Sequence, residues 1–349
     1  MLLALLSAAL FGAATPASKA LLEGLSAFQL AGLLYLGAAL GVAPFAFRQG
    51  GLRLPGKGDR RNRIRLAGAI AAGGVAGPLF LLFGLRLADA ASVSLWLNFE
   101  LAATAFLGAL VFREHLGRAG WAGVAAAFAG AASLSGFEGF SGVVPALLVL
   151  AACLCWGLDN HLTALIDGIT PVQSTFWKGL VAGSTNLTLG LLLDPFHYSA
   201  ASTTMALGVG ALAYGASIVL YITSAQSLGA TRAQVVFSSA PFFGVVLSIV
   251  LLGESLRAMH GVSAALFIGA IVLLSLDKHA HRHTHDAMEH EHEHRHDDAH
   301  HFHEHQGQPA EVRHAHRHAH EPITHAHPHW PDLHHRHRHR LEPIRVPRE

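Results

Sequence analysis

The chain has 349 residues, of which 52% are hydrophobic and 13% charged, and its formal net charge is +1. Residues 277–349 alone carry 10 of the 24 Lys and Arg residues and 13 of the 23 Asp and Glu residues. The rest of the chain is too poor in charge for a soluble surface, of which about a quarter to a third is charged. The composition therefore excludes an ordinary soluble protein and indicates a body that faces lipid.

Ten apolar segments follow one another along this body, each near the roughly 20 residues that a spanning helix needs. Gly, Pro and charged residues separate them, which marks the breaks as turns. The predicted spans are 2–22, 26–48, 65–87, 90–112, 118–136, 142–166, 171–193, 203–226, 231–253 and 260–276. The N-terminus lacks the basic start of a secretory signal, so we expect the first span to be retained as a membrane helix.

Basic residues are unevenly distributed among the loops. The loop between spans 2 and 3 carries seven Lys and Arg residues within 48–65, and Arg113 and Arg118 flank the turn after span 4. The first and fifth loops carry none. Because basic loops stay in the cytoplasm, we expect the even-numbered loops and both termini to be cytoplasmic, in a plasma (bacterial inner) membrane.

The body contains an internal repeat. Residues 21–29 resemble residues 165–173 at an offset of 144, and residues 90–116 resemble residues 230–256 at an offset of 140. Three hydrophilic pairs keep these offsets: Glu23 and Asp167, Gln29 and Gln173, and Glu114 and Glu254. Each unit holds five predicted helices, an odd number that inserts the second unit upside down. Inverted repeats of this kind are typical of alternating-access transporters.

These features resemble the EamA-type drug/metabolite transporters. The resemblance rests on the two five-helix units, on Phe11-Gly12 and Trp156-Gly157, on Pro241, and on the Glu-x-Leu endings at Glu114 and Glu254. It implies an all-α fold with ten transmembrane helices, made of two inverted repeats at residues 1–137 and 142–276. It also implies a carrier for small organic solutes. The chain departs from the family at Leu34, where a basic residue is common, and in its added tail.

Two spans carry candidate residues for a solute pathway. Glu100 lies in the middle of span 4 after Trp96 and Asn98, and its carboxyl group suits a cation or proton site. The alternative is a carboxyl group that only supports helix packing. In span 9, we expect Pro241 to kink the middle of the helix and to free a backbone carbonyl, for which Ser238 and Ser239 partly compensate. We expect these two spans to face each other across the chamber.

Spans 6 and 7 add a second polar group. Asp159, Asn160 and His161 are consecutive, and Asp159 and His161 point about 200° apart on an ideal helix. We expect one of the three to face the pathway. Lys178 either extends to the membrane surface or neutralises Glu100, Asp159 or an anionic solute. For Lys19, near the end of span 1, extension to the surface is favoured.

Histidine dominates the tail, residues 277–349, which holds all but four of the chain's 27 histidines. Imidazole binds Zn, Ni, Co and Cu, and the interleaved acidic residues add oxygen ligands. The tail lacks the apolar residues for a core, so we expect a disordered segment with several weak, exchangeable metal sites. A solubilising or pH-responsive extension is the alternative. The candidate ligands are His281, His283, His285, His290, His292, His294, His296, His314, His316, His318, His320, His325, His327, His329, His334, His335, His337 and His339.

Three functions fit the sequence. The first is a transporter of a small organic solute whose tail regulates or buffers metal. The second is a transition-metal exporter, and the third is a membrane-anchored metal buffer or sensor. No enzyme motif is found, Cys153 and Cys155 are expected to be buried apolar residues, and no cofactor is expected. The expected partners are the bilayer, the solute and tail-bound metal but no nucleic acid; a homodimer is left open.

Overall fold

A computed structural model describes the body in eight stretches and the tail in four short ones. The body stretches are residues 2–48, 51–56, 58–112, 116–137, 140–166, 169–195, 199–228 and 236–276. In the tail the backbone is described at residues 280–285, 288–294, 314–320 and 323–328. All regular structure in the described body is helical.

The described part of the first half contains eight α-helices and one π-helical segment. They are α1 Leu2–Gly12, α2 Ala14–Leu21, α3 Ala27–Arg48, α4 Arg60–Ala69, the π-helical segment Ile70–Ala76, α5 Gly77–Leu87, α6 Ala90–Trp96, α7 Phe99–Leu110 and α8 Arg118–Phe137. Helices α1 and α2 form one span, and so do α4, the π-helical segment and α5. Helices α6 and α7 form another.

The second half also has a π-helical segment between two α-helices. It comprises α9 Phe140–Ala164, α10 Pro171–Leu193, α11 Ala200–Val209, the π-helical segment Gly210–Ala216, α12 Ser217–Leu228, α13 Ala240–Leu252 and α14 Ala258–Leu276. The two π-helical segments are related by the repeat offset of 140. Their matched position supports the internal repeat inferred from sequence.

Seven candidate membrane spans are found among the described residues by length and apolar character. They are Leu2–Leu21, Ala27–Arg48, Arg60–Leu87, Ala90–Leu110, Gly142–Thr163, Ala200–Tyr221 and Ala258–Leu276. The other three predicted spans also contain helix, at α8, α10 and α13. Helix α8 is rich in Ala and Gly, α10 carries Lys178 and several polar residues, and α13 is short. The structure therefore establishes a multi-pass membrane protein, with seven of ten predicted spans meeting both criteria.

Helices α3 and α10 occupy equivalent places in the repeats and pack closely along their length. Gly32 lies against Leu187, Gly183 against Leu36, and Gly179 against Tyr35. Small residues allow such close approach, as is common between membrane helices. As residue numbers increase along α3, the residue numbers of the contacting positions decrease along α10. The two helices are therefore antiparallel, as the inverted relation of the repeats requires.

Hydrogen bonds between helix ends form one group around the basic loop, which we call face A. The Arg65 guanidinium donates to the Leu165 carbonyl oxygen at 2.6 Å. The Gln173 amide donates to the Gly51 carbonyl at 2.7 Å, and the Trp177 indole donates to the Arg53 carbonyl at 2.9 Å. The loop before α4 is thereby held against the end of α9 and the start of α10.

A second group of helix ends, face B, forms around the turns after α2 and α5. Lys19 Nζ donates to the carbonyl oxygens of Leu85 and Ala88 at 2.7 and 2.8 Å, which satisfies the end of α5. The expectation that Lys19 only extends to the surface is incomplete, because its ammonium binds another helix. The Gln29 amide donates to the Asp194 carbonyl beyond α10 at 3.2 Å.

The described tail segments are extended and paired. They form β1 Ala280–His285, β2 Met288–His294, β3 His314–His320 and β4 Ile323–Pro328, with β1 antiparallel to β4 and β2 antiparallel to β3. The prediction of disorder therefore differs from the structure in these four segments. Alternation of histidine with other residues has the period of a strand, which explains extended backbone there. The remaining tail lies outside the described residues.

Candidate functional site

Two repeat-related spans are interrupted at matching points. The break between α6 and α7 falls at Leu97-Asn98, and the break before α13 falls at Ser238-Ser239. Asn98 Nδ2 donates to the Leu95 carbonyl at 3.1 Å, and Ser239 Oγ donates to the Val236 carbonyl at 2.6 Å. In both cases a polar side chain binds the carbonyl three residues earlier, which stabilises the interrupted helix end.

Pro241 lies in the first turn of α13, directly after this second break. Sequence reasoning placed it in the middle of a kinked helix. A helix restarts there instead, because proline fits the first turn, where its missing N–H is not needed.

Lys178 and Asp159 form an ion pair between α10 and α9. Lys178 Nζ lies 2.6 Å from both carboxylate oxygens, and the two side chains are only 15% and 10% exposed. Thr163 Oγ1 donates to Asp159 at 2.8 Å. Of the alternatives for Lys178, the geometry favours a counter-charge for Asp159. The pairing lowers the cost of placing both charges in an apolar surrounding.

Glu100 is bound from the neighbouring helix by Asn160. Asn160 Nδ2 lies 3.2 Å from Glu100 Oε1 and 3.4 Å from Thr104 Oγ1, which links α9 to α7. Asn160 directly follows Asp159 in α9, so the residue that binds Glu100 is the neighbour of the residue that binds Lys178. The structure thus brings together the carboxyl groups that the sequence placed in two separate spans.

His161 points away from the Lys178–Asp159 pair. Its ring stacks on Phe112 at a centroid distance of 4.3 Å, and its Nδ1 lies 2.8 Å from the Gly157 carbonyl. The predicted divergence of Asp159 and His161 is therefore observed. Asp159 and Asn160 hold the polar contacts with Lys178 and Glu100, while His161 packs against the end of span 4.

The first π-helical segment supplies two backbone carbonyls to this region. The Gly77 N–H bonds the Ala72 carbonyl, five residues earlier. Pro78 has no N–H, so it cannot donate a hydrogen bond to the Gly73 carbonyl in a π-turn or to the Gly74 carbonyl in an α-turn. Both oxygens are satisfied from other helices. Tyr35 Oη and Trp156 Nε1 donate to Gly73 at 2.6 and 3.0 Å, and Asn186 Nδ2 donates to Gly74 at 3.2 Å.

Gly73 and Gly77 allow this crowded arrangement. A Cβ on Gly73 would overlap the Asp159 carboxyl group, and a Cβ on Gly77 would lie 2.9 Å from Trp156 Nε1. π-helical turns are rare and are frequent at functional sites. The segment therefore places a polar, backbone-lined surface directly against the Lys178–Asp159 pair.

Aromatic rings border the same region on the side of the second repeat. Tyr214, from the second π-helical segment, packs against Tyr35 and Phe11 at centroid distances of 5.6 and 5.8 Å. Phe237, beside the second break, packs against Phe11 and Tyr221 at 5.4 and 4.9 Å.

The remaining predicted pathway residues are placed as follows. Trp96 is 1% exposed, and neither its indole N–H nor the buried Asn98 Oδ1 has a hydrogen-bond partner among the residues that the structure describes. Ser238 is buried within the second break. Cys153 is buried, as expected, and its thiol lies 3.9 Å from the Trp96 carbonyl, while Cys155 is half-buried.

No group of three or more His, Cys, Asp or Glu side chains that could hold a metal ion occurs among the residues whose side chains the structure describes. The histidine side chains of the tail lie outside that set. The predicted tail ligands therefore stay a prediction.

The sequence matches the EamA-like transporter family over residues 1–136 and 144–276, one match for each half of the helical body. The chain belongs to the EamA-like transporter family. The two matched regions coincide with the two repeats. The resemblance inferred from sequence is confirmed.

Two relatives carry transporter names. An uncharacterized transporter of Methanothermobacter thermautotrophicus is 28% identical over 216 residues, which cover 57% of this chain and 61% of the relative. The uncharacterized inner membrane transporter YicL of Salmonella typhimurium is 25% identical over 142 residues, which cover 38% of this chain and 47% of that protein. The chain thus spans about half to three fifths of the length of these relatives.

A solved crystal structure of a protein shares the fold. It has a TM-score of 0.56 and 20% sequence identity, and the match covers 79% of this chain and 96% of the solved chain. At this identity the likeness concerns the fold of the helical body alone.

Sequence reasoning missed several residues of the candidate site. Tyr35, Trp156 and Asn186 were not selected for it, because single polar groups on apolar helices are usual in packing. The sequence did contain a signal for this feature: Pro78 follows the pair Gly73-Gly74 and lacks the N–H that would otherwise bond the carbonyl of Gly73 or Gly74. Glu254 was recognised as a repeat marker only, although it binds the start of α6.

Proposed function

We propose that this protein is a secondary transporter that exports or exchanges a small organic solute, with Glu100 as the carboxyl group that couples solute movement to an ion gradient. The main support for this proposal is that two repeat-related spans are interrupted at matching points, Asn98 and Ser239, and that Asn98 lies close to Glu100 in sequence. Interrupted helices at the junction of inverted repeats commonly hold the substrate and coupling ions of secondary transporters.

The proposed topology has ten spans in two inverted repeats. It is supported by helix-end contacts that separate into face A and face B, and by the antiparallel packing of α3 and α10. Ten crossings place the start of α1 and the end of α14 on face A, with the basic loop. The positive-inside rule then assigns face A and both termini to the cytoplasm, in a plasma membrane.

The solute pathway is proposed to run between the two polar groups. Glu100 with Asn160, and Lys178 with Asp159, offer hydrogen-bond and charge contacts within reach of the freed carbonyls at Gly73 and Gly74. Tyr35, Tyr214 and Phe237 supply aromatic surface beside them. A polar group with an attached apolar body suits this lining, as is general for small-molecule sites.

A transition-metal exporter is the alternative, and the contacts of its possible ligands weigh against it. Both Asp159 oxygens accept hydrogen bonds from Lys178, so a metal ion would have to displace an ammonium group. His161 is stacked on Phe112 with Nδ1 beside a backbone carbonyl. A membrane-anchored metal buffer would need only the tail. We propose that the cytoplasmic tail binds Zn, Ni, Co or Cu and regulates or buffers metal beside an organic-solute carrier.

Flux in proteoliposomes tests the transport proposal. The full chain is assayed with a panel of organic solutes and with Zn, Ni, Co and Cu, with and without a pH gradient. We expect gradient-driven movement of an organic solute, and we expect Glu100→Gln to abolish the effect of the gradient while exchange persists. Glu23→Gln, an exposed carboxylate on face B, is the matched control and should behave as the parent.

The outcomes separate the alternatives. Metal flux without organic flux would favour the exporter, and metal binding without any flux would favour the buffer. A chain ending at Leu276 that remains folded should keep solute flux and lose most metal binding. Loss of all flux from that folded chain would contradict a purely regulatory tail.

A further inference from the structure

The start of α6 is held by a carboxylate from the opposite repeat. The N–H groups of Ala90 and Ala91 donate to Glu254 Oε1 and Oε2 at 2.8 and 2.7 Å. The residue before this helix, Asp89, makes no capping hydrogen bond with its own side chain. The first N–H groups of a helix lack partners within it, and a carboxylate satisfies them with charge-assisted bonds. Glu254 therefore caps the N-terminus of α6, which the side chain of Asp89 does not do.

Glu254 is well placed for this contact because α13 ends immediately before it. Gly253 has a φ of +68°, the left-handed conformation that commonly ends a helix. The chain turns there, and the next residue reaches across to α6. The contact thus joins the end of span 9 to the start of span 4 on face B.

His260 of α14 provides a second tether to the same segment. Its ring is 4% exposed, and its Nε2 lies 3.2 Å from Ser92 Oγ. The Arg257 N–H donates to its Nδ1 at 3.0 Å, so Nδ1 is an acceptor and the ring proton is on Nε2. The ring therefore donates to Ser92. Residues 90–92 are thus bound to both of the last two spans.

Helix α6 is short and ends at the interruption next to the proposed pathway. It runs from Ala90 to Trp96, packs against α13, and meets the break at Leu97-Asn98. Gly244 of α13 lies so close that a Cβ there would come within 2.5 Å of Ser94 Oγ. A segment fixed at face B and interrupted at its other end can move as a unit when the face-B contacts release.

We propose that Glu254 is a positioning residue for transport: it clamps α6 against α13 and closes face B, and release of this clamp is the step that opens face B to solute. The proposal rests on the transport function proposed above. Alternating access requires one face to be closed while the other is open. The Glu254 contact links opposite repeats, so it can break without unfolding either one.

One-sided thiol labelling tests the clamp in the full chain. Cys153 and Cys155 are replaced by Ala, and a single cysteine is placed at Ser94, which is 0% exposed. A membrane-impermeant maleimide is then applied separately to each side of sealed vesicles of known orientation. Glu254→Gln is compared with the parent and with Glu23→Gln, an exposed carboxylate on the same face.

We expect Glu254→Gln to raise labelling from face B by about fivefold or more, the lower end of typical coupling between two protein states. Glu23→Gln should match the parent, and labelling from face A should not rise. Parent-like labelling of Glu254→Gln, or an equal rise from both faces, would overturn the proposal. If Glu254→Gln does not fold, Glu254→Asp keeps the charge with a shorter reach and must itself raise face-B labelling; no rise overturns the clamp.

The labelling result is independent of solute identity. Increased face-B labelling with no flux of any solute in any variant would retain the clamp and contradict the transport proposal. Normal gradient-driven flux with unchanged labelling would support the transport proposal and contradict the proposal that Glu254 acts as a clamp.

Discussion

Lys178 and Asp159 form an ion pair in which one ammonium nitrogen lies 2.6 Å from both oxygens of one carboxylate. The carboxyl group lies directly against Gly73 of the first π-helical segment. The pair therefore joins α9, α10 and span 3 at one point beside the interrupted spans. Charges in an apolar surrounding are stable only when paired, so this contact bears on folding as well as on solute binding.

Removing one member of the pair should destabilise the fold more than removing both. We expect Lys178→Met to lower the free energy of unfolding by about 3–5 kcal/mol, because it leaves a buried carboxylate without its counter-charge. The double variant Lys178→Met with Asp159→Asn should recover most of this loss. Chemical unfolding in detergent measures both; additive losses would show that the two groups are not energetically coupled.

Gly73→Ala should be strongly destabilising, because the new Cβ overlaps the Asp159 carboxyl group and the backbone beside Pro78 cannot shift freely. We expect a loss of about 1–3 kcal/mol, the usual effect of overpacking. Gly208→Ala in α11 is the matched control, since no atom of the described residues lies within 4 Å of its Cβ position. That change should be neutral or stabilising by up to about 1 kcal/mol. Thermal unfolding of the two variants compares them.

The Gly73 carbonyl should tolerate the loss of one donor but not of both. Tyr35→Phe and Trp156→Phe each leave one hydrogen bond to this oxygen. The double variant leaves a buried carbonyl unpaired, which costs about 1–3 kcal/mol. We therefore expect the double loss in unfolding free energy to exceed the sum of the single losses. A sum within error would mean that water or another group replaces the missing donors.

Asp59 should make stability depend on acid pH. Hydrogen bonds from the backbone N–H and then the side-chain amide of Asn62 hold the pKa of Asp59 below its ordinary value. A lowered pKa adds stability above the ordinary carboxyl range, and this contribution disappears as pH falls through the lowered value.

Asp59→Asn tests this dependence, because asparagine also caps a helix but does not titrate. The parent should exceed Asp59→Asn in stability by more at pH 6 than at pH 3, measured by unfolding at each pH. A difference that stays constant or grows on acidification would contradict the assignment.

Several parts of this molecule followed from sequence with little ambiguity. Apolar length predicted the helical body, and the offsets between Gln29 and Gln173 and between Glu114 and Glu254 predicted the repeat. Both rest on local rules: a lipid-facing helix must be apolar over its whole length, and a duplicated unit keeps its spacing. The sequence also selected Glu100, Asp159, Asn160 and Lys178, because an ionisable or amide group inside a span needs a partner.

The identity of each partner was not available from sequence. Lys178 could have paired with Glu100 as well as with Asp159, and the choice depends on how α9 and α10 rotate against each other. Pro241 looked like a kink because its helix was assumed to be continuous. Among the described residues, seven spans met the criteria of length and apolar character, and the helices of the other three predicted spans, α8, α10 and α13, did not meet both.

By itself, then, the sequence determined that the body lies in a membrane, that it is duplicated and inverted, and which few polar residues enter the apolar region. The tertiary structure alone decided that Tyr35 and Trp156 meet at the Gly73 carbonyl, that Asp159 takes Lys178, and that Glu254 holds the start of α6. Hydrophobicity and repeat spacing are properties of a chain segment. A hydrogen bond between two different helices depends on the packing angle and rotation of both, which no segment encodes alone.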